Sequence, residues 1–156
     1  MTNQEKLSAT ITQPLLSRNF EFIGDHTVDS IVLGNYADAK ITAKGNFFLS
    51  GIIYCKKHTV EISLDGVGTV SFTGVCRNFV IRSMVGNCTL DLSNLACETV
   101  RCLSAKGESV IILGYTKVIE ELNLDNNASL KYSGRPVMAS FRLDGNSKIE
   151  YMKMSA

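Results

Sequence analysis

The sequence predicts an all-β fold of one kind: a single-stranded, right-handed parallel β-helix, or β-solenoid, of about seven rungs with roughly twenty residues each. Three observations predict it. Turn-forming residues recur at a near-constant step, apolar residues alternate with period two on both sides of each turn, and both prolines, Pro14 and Pro136, fall outside the alternating segments. A proline inside a strand would remove a ladder donor.

The turns come first. Glycine stands at Gly24, Gly45, Gly66, Gly86 and Gly107, Asn126 takes the next place, and Gly145 follows, in steps of 21, 21, 20, 21, 19 and 19. Asn is the usual substitute for Gly where the backbone takes a positive φ, so its place in this series marks a recurring tight turn.

The strands follow from the flanks. Four and two residues before each turn lie Phe20/Phe22, Ile41/Ala43, Ile62/Leu64, Arg82/Met84, Leu103/Ala105, Leu122/Leu124 and Phe141/Leu143. After the turns come Val70/Phe72, Leu90/Leu92, Ile111/Leu113, Leu130/Tyr132 and Ile149/Tyr151. Such alternation marks a strand with one buried face, and each rung therefore carries at least two strands around one turn. Arg82 breaks the pattern, which predicts a local slip that points Val80 or Ile81 inward instead. An antiparallel sandwich also gives short strands at regular spacing. It has no reason, however, to repeat like residues at one fixed step, whereas a parallel solenoid stacks each position on its counterpart about 4.8 Å away. Right-handed coiling is expected from the general preference of parallel crossovers.

Residues 1–19 lie outside the repeat and are expected to form an N-terminal cap, with Leu7, Ile11, Leu15 and Leu16 covering the first rung of a solenoid domain over 20–156. At the other end Tyr151, Met152 and Met154 are apolar with no rung beyond them. They call for cover from the tail or from a second subunit.

Composition excludes several function classes. Sixteen Lys and Arg against fifteen Asp and Glu give a formal charge of +1, so no field recruits nucleic acid. No apolar run is long enough for membrane insertion, and residues 1–20 lack the basic and apolar regions of a signal peptide, so a cytoplasmic address is expected. Five cysteines, an odd number, fit a reducing compartment. Neither a CxxC pair nor a cysteine cluster beside His26 or His58 suggests zinc.

Individual residues add little chemistry. Cys55, Cys76 and Cys97 are spaced by 21 and 21 and should stack in one column, read as small buried side chains with Val118 continuing it. Neighbours in such a column would be within disulfide range. Asp125 and Asp144 precede turn residues on neighbouring rungs and are the weak calcium candidates, their alternative role being turn chemistry, in which Asp satisfies local backbone donors. Arg77, Arg101, Arg135 and Arg142 fall in no evident column with the acids, as a polysaccharide lyase or hydrolase groove would need. No catalytic residue and no cofactor is assigned.

The segment ASLKYSGRPVMASFRLDGNSKIEY, Ala128 to Tyr151, resembles the end of the bacterial auto-transporter adhesin head GIN domain family. The likeness rests on a strand ending at Tyr132, then Gly134 and Pro136, then the Leu143-Asp144-Gly145-Asn146-Ser147 turn into a last strand. Upstream, VEISLDGVGTVSF, Val60 to Phe72, is similar to that family's strand, Gly-x-Gly, strand unit. The resemblance covers about residues 30 to 152 and implies a right-handed β-helical fold, an adhesion role and a cell-envelope or secreted address. As read, this chain is expected to depart from the family in lacking a leader and in carrying five cysteines.

The expectation is a non-enzymatic binding or scaffold module, adhesin-like, that recognises glycan or protein surfaces. The alternative is a self-assembling structural protein that forms a homo-oligomer through solenoid ends or edges.

Overall fold

The structure is a computed structural model that describes residues 11–12, 17–34 and 38–152, with backbone alone for 11, 12, 17 and 18. Leu7, Leu15, Leu16 and Met154, named above for the cap and the tail, lie outside the described residues. Strand accounts for 83% of the described residues, with no helix among them, and the coils stack into a parallel β-solenoid of about six turns. Seven turn residues delimit six intervals, hence six rather than seven complete turns. Among the described residues no helix is long and apolar enough to cross a membrane.

The elements are β1 (Ile11–Thr12), β2 (Ser17–Leu33), β3 (Asp38–Ala105), β4 (Val110–Leu113), β5 (Thr116–Leu124), β6 (Ser129–Tyr132), β7 (Val137–Met138), β8 (Phe141–Leu143) and β9 (Lys148–Tyr151). Every pair between them is parallel. β2 runs beside β3 from Ser17↔Asp38 to Val28↔Leu49, slips, and resumes at Ile31↔Gly51. β1 pairs Ile11 with Ile31 and Thr12 with Val32, so ladder pairing already occupies backbone at 11–12 and 17–19 of the expected cap.

All seven predicted turn residues take a positive φ, and Asn126, at 58°, is the one non-glycine to do so among the described residues. The turns themselves bond from coil to coil. Glu108 N donates to Gly86 O at 2.8 Å, Asn127 N to Gly107 O at 3.0 Å and Asn146 N to Asn126 O at 2.7 Å. Gly66 has two reasons to be glycine: φ is +136°, and a Cβ there would lie 2.1 Å from Gly45 O. That separation is far inside van der Waals contact. The stacking step, as much as the turn, therefore selects the residue.

Inside, the predicted alternation holds at Phe20/Phe22, Ile41/Ala43, Ile62/Leu64, Leu122/Leu124, Val70/Phe72, Leu90/Leu92 and Ile111/Leu113, all buried. At the predicted slip Ile81 is fully buried and Arg82 exposed, with Met84 buried two places on. Leu103, expected inward, is a correction: it is half-buried, and Cys102 fills the core instead. The extra residue of the Ile81–Met84 segment is repeated at Cys102–Ala105 and ends in β5, where Cys102 pairs with Leu122 and Ala105 with Leu124. Asn123 sits at that closure, its Nδ2 donating to Leu103 O at 3.2 Å and Cys102 O at 3.5 Å. A bulge frees ladder carbonyls, and this amide satisfies two of them.

Phe141 and Leu143 are the second correction. They stand in register on Leu122 and Leu124, yet are 58% and 39% exposed, because no described rung lies above them. Ile31, Leu33, Ile53 and Leu95, outside the two strands read per rung, are also buried and widen the core.

Candidate functional site

Where the solenoid wall passes from Tyr54 to Lys56, three neighbouring columns make a hollow. The outer column is Tyr54, Val75, Ala96 and Tyr115, so two small side chains lie between two tyrosines 54% and 64% exposed. Three rung spacings set those tyrosines about 14 Å apart. The buried column beside it is Cys55, Cys76 and Cys97, continued by Thr116 through the Cys97↔Thr116 pair. Val118, expected there, pairs instead with Thr99: the step shortens to 19 at this coil, and the column moves with it. The third column carries Lys56, Arg77, Glu98 and Lys117.

Together Val75, Cys76, Ala96, Cys97 and Tyr115 floor and wall a cavity of about 230 Å³, with Lys56, Arg77, Lys117 and Glu98 at its rim. Among the described residues none of the three cations is engaged in an ion pair. The Thr116 hydroxyl is buried without a hydrogen-bond partner among the described residues. The floor is thus apolar and thiol-lined, and the rim carries an excess of positive charge.

A second wall is polar but self-satisfied. Glu61, its side chain 19% exposed, takes Arg82 Nε at 2.8 Å and Nη2 at 3.2 Å, with Lys40 Nζ at 3.6 Å on the other side. The Arg82 hydrogen bond holds its carboxyl below the usual range, against the opposing effect of partial burial. Arg101 reaches Glu121 at 2.9 Å across the register shift after Val100, and that bond, with one from Asn123, lowers the Glu121 carboxyl too. This corrects the expectation that Arg101 shares no column with an acid. The shift, invisible as spacing, brings them together.

The two calcium candidates are occupied locally. Asp125 Oδ1 accepts the Asn126 N–H at 2.7 Å, and Asp144 Oδ2 accepts Arg142 Nε at 2.9 Å. Among the described residues no three His, Cys, Asp or Glu side chains converge as metal ligands.

No family model, no curated protein and no solved structure matches the chain. The site is therefore argued from its own geometry.

The thiols bear on that geometry. All five cysteines are thiols, and burial pushes Cys88 up to about 11 and Cys102 up to about 12. Cys76 is pushed up as well, first by the Cys97 sulfur beside it and then by burial. The cysteine column is legible in the residue spacing but the hollow is not, because Tyr115 and Lys117 join it only through the shortened step.

Proposed function

We propose that this chain is a non-enzymatic binding module, adhesin-like in presenting a rigid rod to a glycan or protein surface. The observation that carries it is the hollow between the tyrosine, cysteine and cation columns. An exposed aromatic ring offers a stacking face, and rim cations donate charge-assisted hydrogen bonds to acidic groups. Each lies on a hydrogen-bonded coil, so little ordering entropy is lost on binding. The acids support the same reading over a polysaccharide lyase or hydrolase. A general acid needs a raised pKa, and Glu61 and Glu121 are both lowered by arginine partners.

The test is calorimetric titration of the protein with oligogalacturonides, with neutral oligosaccharides of matched length and with an acidic peptide. Binding that weakens at least several-fold in Tyr115→Ala and Arg77→Ala, and falls as salt rises, is expected. Absence of binding to all three, or affinity indifferent to both substitutions, overturns the reading.

A second reading, self-assembly through the solenoid end, is favoured by one observation. Val137, Phe141 and Tyr151 on the last described rung are 62%, 58% and 59% exposed, beside strand edges that pair on one side only. Such edges favour association. Light scattering across a concentration series checks it, and a strict monomer removes it.

A further inference from the structure

We propose that Cys76 and Cys97 form a cross-rung dithiol, a modification site that small disulfide oxidants close into a bridge between two neighbouring coils of the solenoid. This stands apart from the binding reading and rests on three observations.

The first is register. The coils at 76 and 97 are in step: the Thr99 hydroxyl donates to the Asn78 amide oxygen 21 residues earlier, next to both cysteines. Partners on adjacent parallel strands have Cα atoms about 4.8 Å apart, inside the range that a disulfide spans.

The second is the aim of the sulfurs. Cys76 and Cys97 line the same cavity, and the Cys76 thiol donates to Asn78 O at 3.2 Å. Cys55, next in the column, turns the other way and donates to Gly34 O at 3.2 Å on the preceding coil. Cys88 bonds Gly66 O at 3.3 Å in a separate column, and Cys102 lies in the core under Leu122. One pair out of five thiols is therefore set to close.

The third is access. Cys76 and Cys97 are 3% and 2% exposed, yet both line the cavity of about 230 Å³, whose rim of Lys56, Arg77 and Lys117 outweighs Glu98.

The step balances as thiol–disulfide exchange. Both thiols line the cavity, and the step is written with Cys97 as the attacking group. Its thiolate, formed by loss of a proton to solvent, attacks one sulfur of the reagent RSSR, forms a mixed disulfide and expels RS⁻, which is protonated to RSH. Cys76 then attacks the Cys97 sulfur, releases its proton and expels the second RS⁻, which leaves as RSH. Two cysteine thiols lose two electrons and two protons, and one RSSR becomes two RSH.

The experiment incubates the native 156-residue chain with hydroxyethyl disulfide and maps the products by peptide mass spectrometry. Expected is a product lighter by two hydrogen atoms, a single Cys76–Cys97 cross-link, and a rise in Tm of about 5 to 10 °C that a reducing agent reverses. Cys97→Ser should abolish all three, and Cys102→Ser should leave the cross-link in place. The mapping uses the unsubstituted chain and so stands even where a variant folds poorly. A stable mixed disulfide without closure, a different pairing, or thiols that stay reduced while urea-unfolded protein reacts overturns the proposal.

Discussion

Replacing Gly66 by alanine separates the two demands that the solenoid makes on its turns. The backbone there has φ +136°, and an added Cβ would sit 2.1 Å from Gly45 O and 2.9 Å from Gly45 N. A non-glycine residue in this region costs roughly 1–3 kcal/mol. The oxygen clash adds to it, because the coils must part by about 1 Å to restore contact, and the ladder hydrogen bonds on either side then weaken at about 0.5–1.5 kcal/mol each. With one such bond on each side the sum is about 2–6 kcal/mol, a large part of the ~5–15 kcal/mol that holds a domain folded. Gly24 supplies the control. Its φ is +97° but a Cβ would meet nothing within 4 Å, so Gly24→Ala bears only the backbone term, about 1–3 kcal/mol. Urea unfolding followed by circular dichroism, with m unchanged, measures both. If Gly66→Ala costs no more than Gly24→Ala, rung stacking does not select the turn residue and the reasoning fails.

Three further predictions use the same assays. Phe72→Ala, at a fully buried site, should destabilise by about 3–5 kcal/mol, whereas Val67→Ala, 54% exposed, should stay within about 0.5 kcal/mol; similar costs would deny a packed core. Glu61 has a folded pKa below its ordinary 4.5, so its ion pair stabilises above that pH and the contribution is lost as pH falls through the lowered value. Arg82→Ala should therefore lower the urea midpoint only slightly near neutrality, as exposed ion pairs contribute little, and the gap to the parent should close in acid; a gap that widens in acid reverses the sign. Cys88 and Cys102, raised to about 11 and about 12, should alkylate far more slowly in the native protein at neutral pH than in urea, accelerating as pH climbs toward those values. Equal native and unfolded rates would contradict their burial.

Much of the fold was legible because a stacked coil repeats its constraints. Gly66 and Asn126 announce a positive φ, and Ile62/Leu64 or Leu90/Leu92 announce which face is buried. Leu103 was misread because its rung carries an extra residue between Cys102 and Ala105, and a fixed offset from the turn cannot detect a bulge. Arg101 and Glu121 escaped for the same reason. Phe141 and Leu143 have the right spacing and the right register, but burial needs a neighbour on each side, which the pattern does not report.

The sequence by itself determined the coil: its turns, its alternation and its parallel stacking, since these follow from chirality, side-chain period and the recurrence of small turn residues. Only the tertiary structure decided the site. Which sulfur faces which, and which tyrosine and cations share a hollow with them, depends on bulges and shortened steps that shift one coil against the next by a residue. A shift that small leaves the repeat recognisable while changing every lateral neighbour, which is why the architecture could be read and the hollow could not.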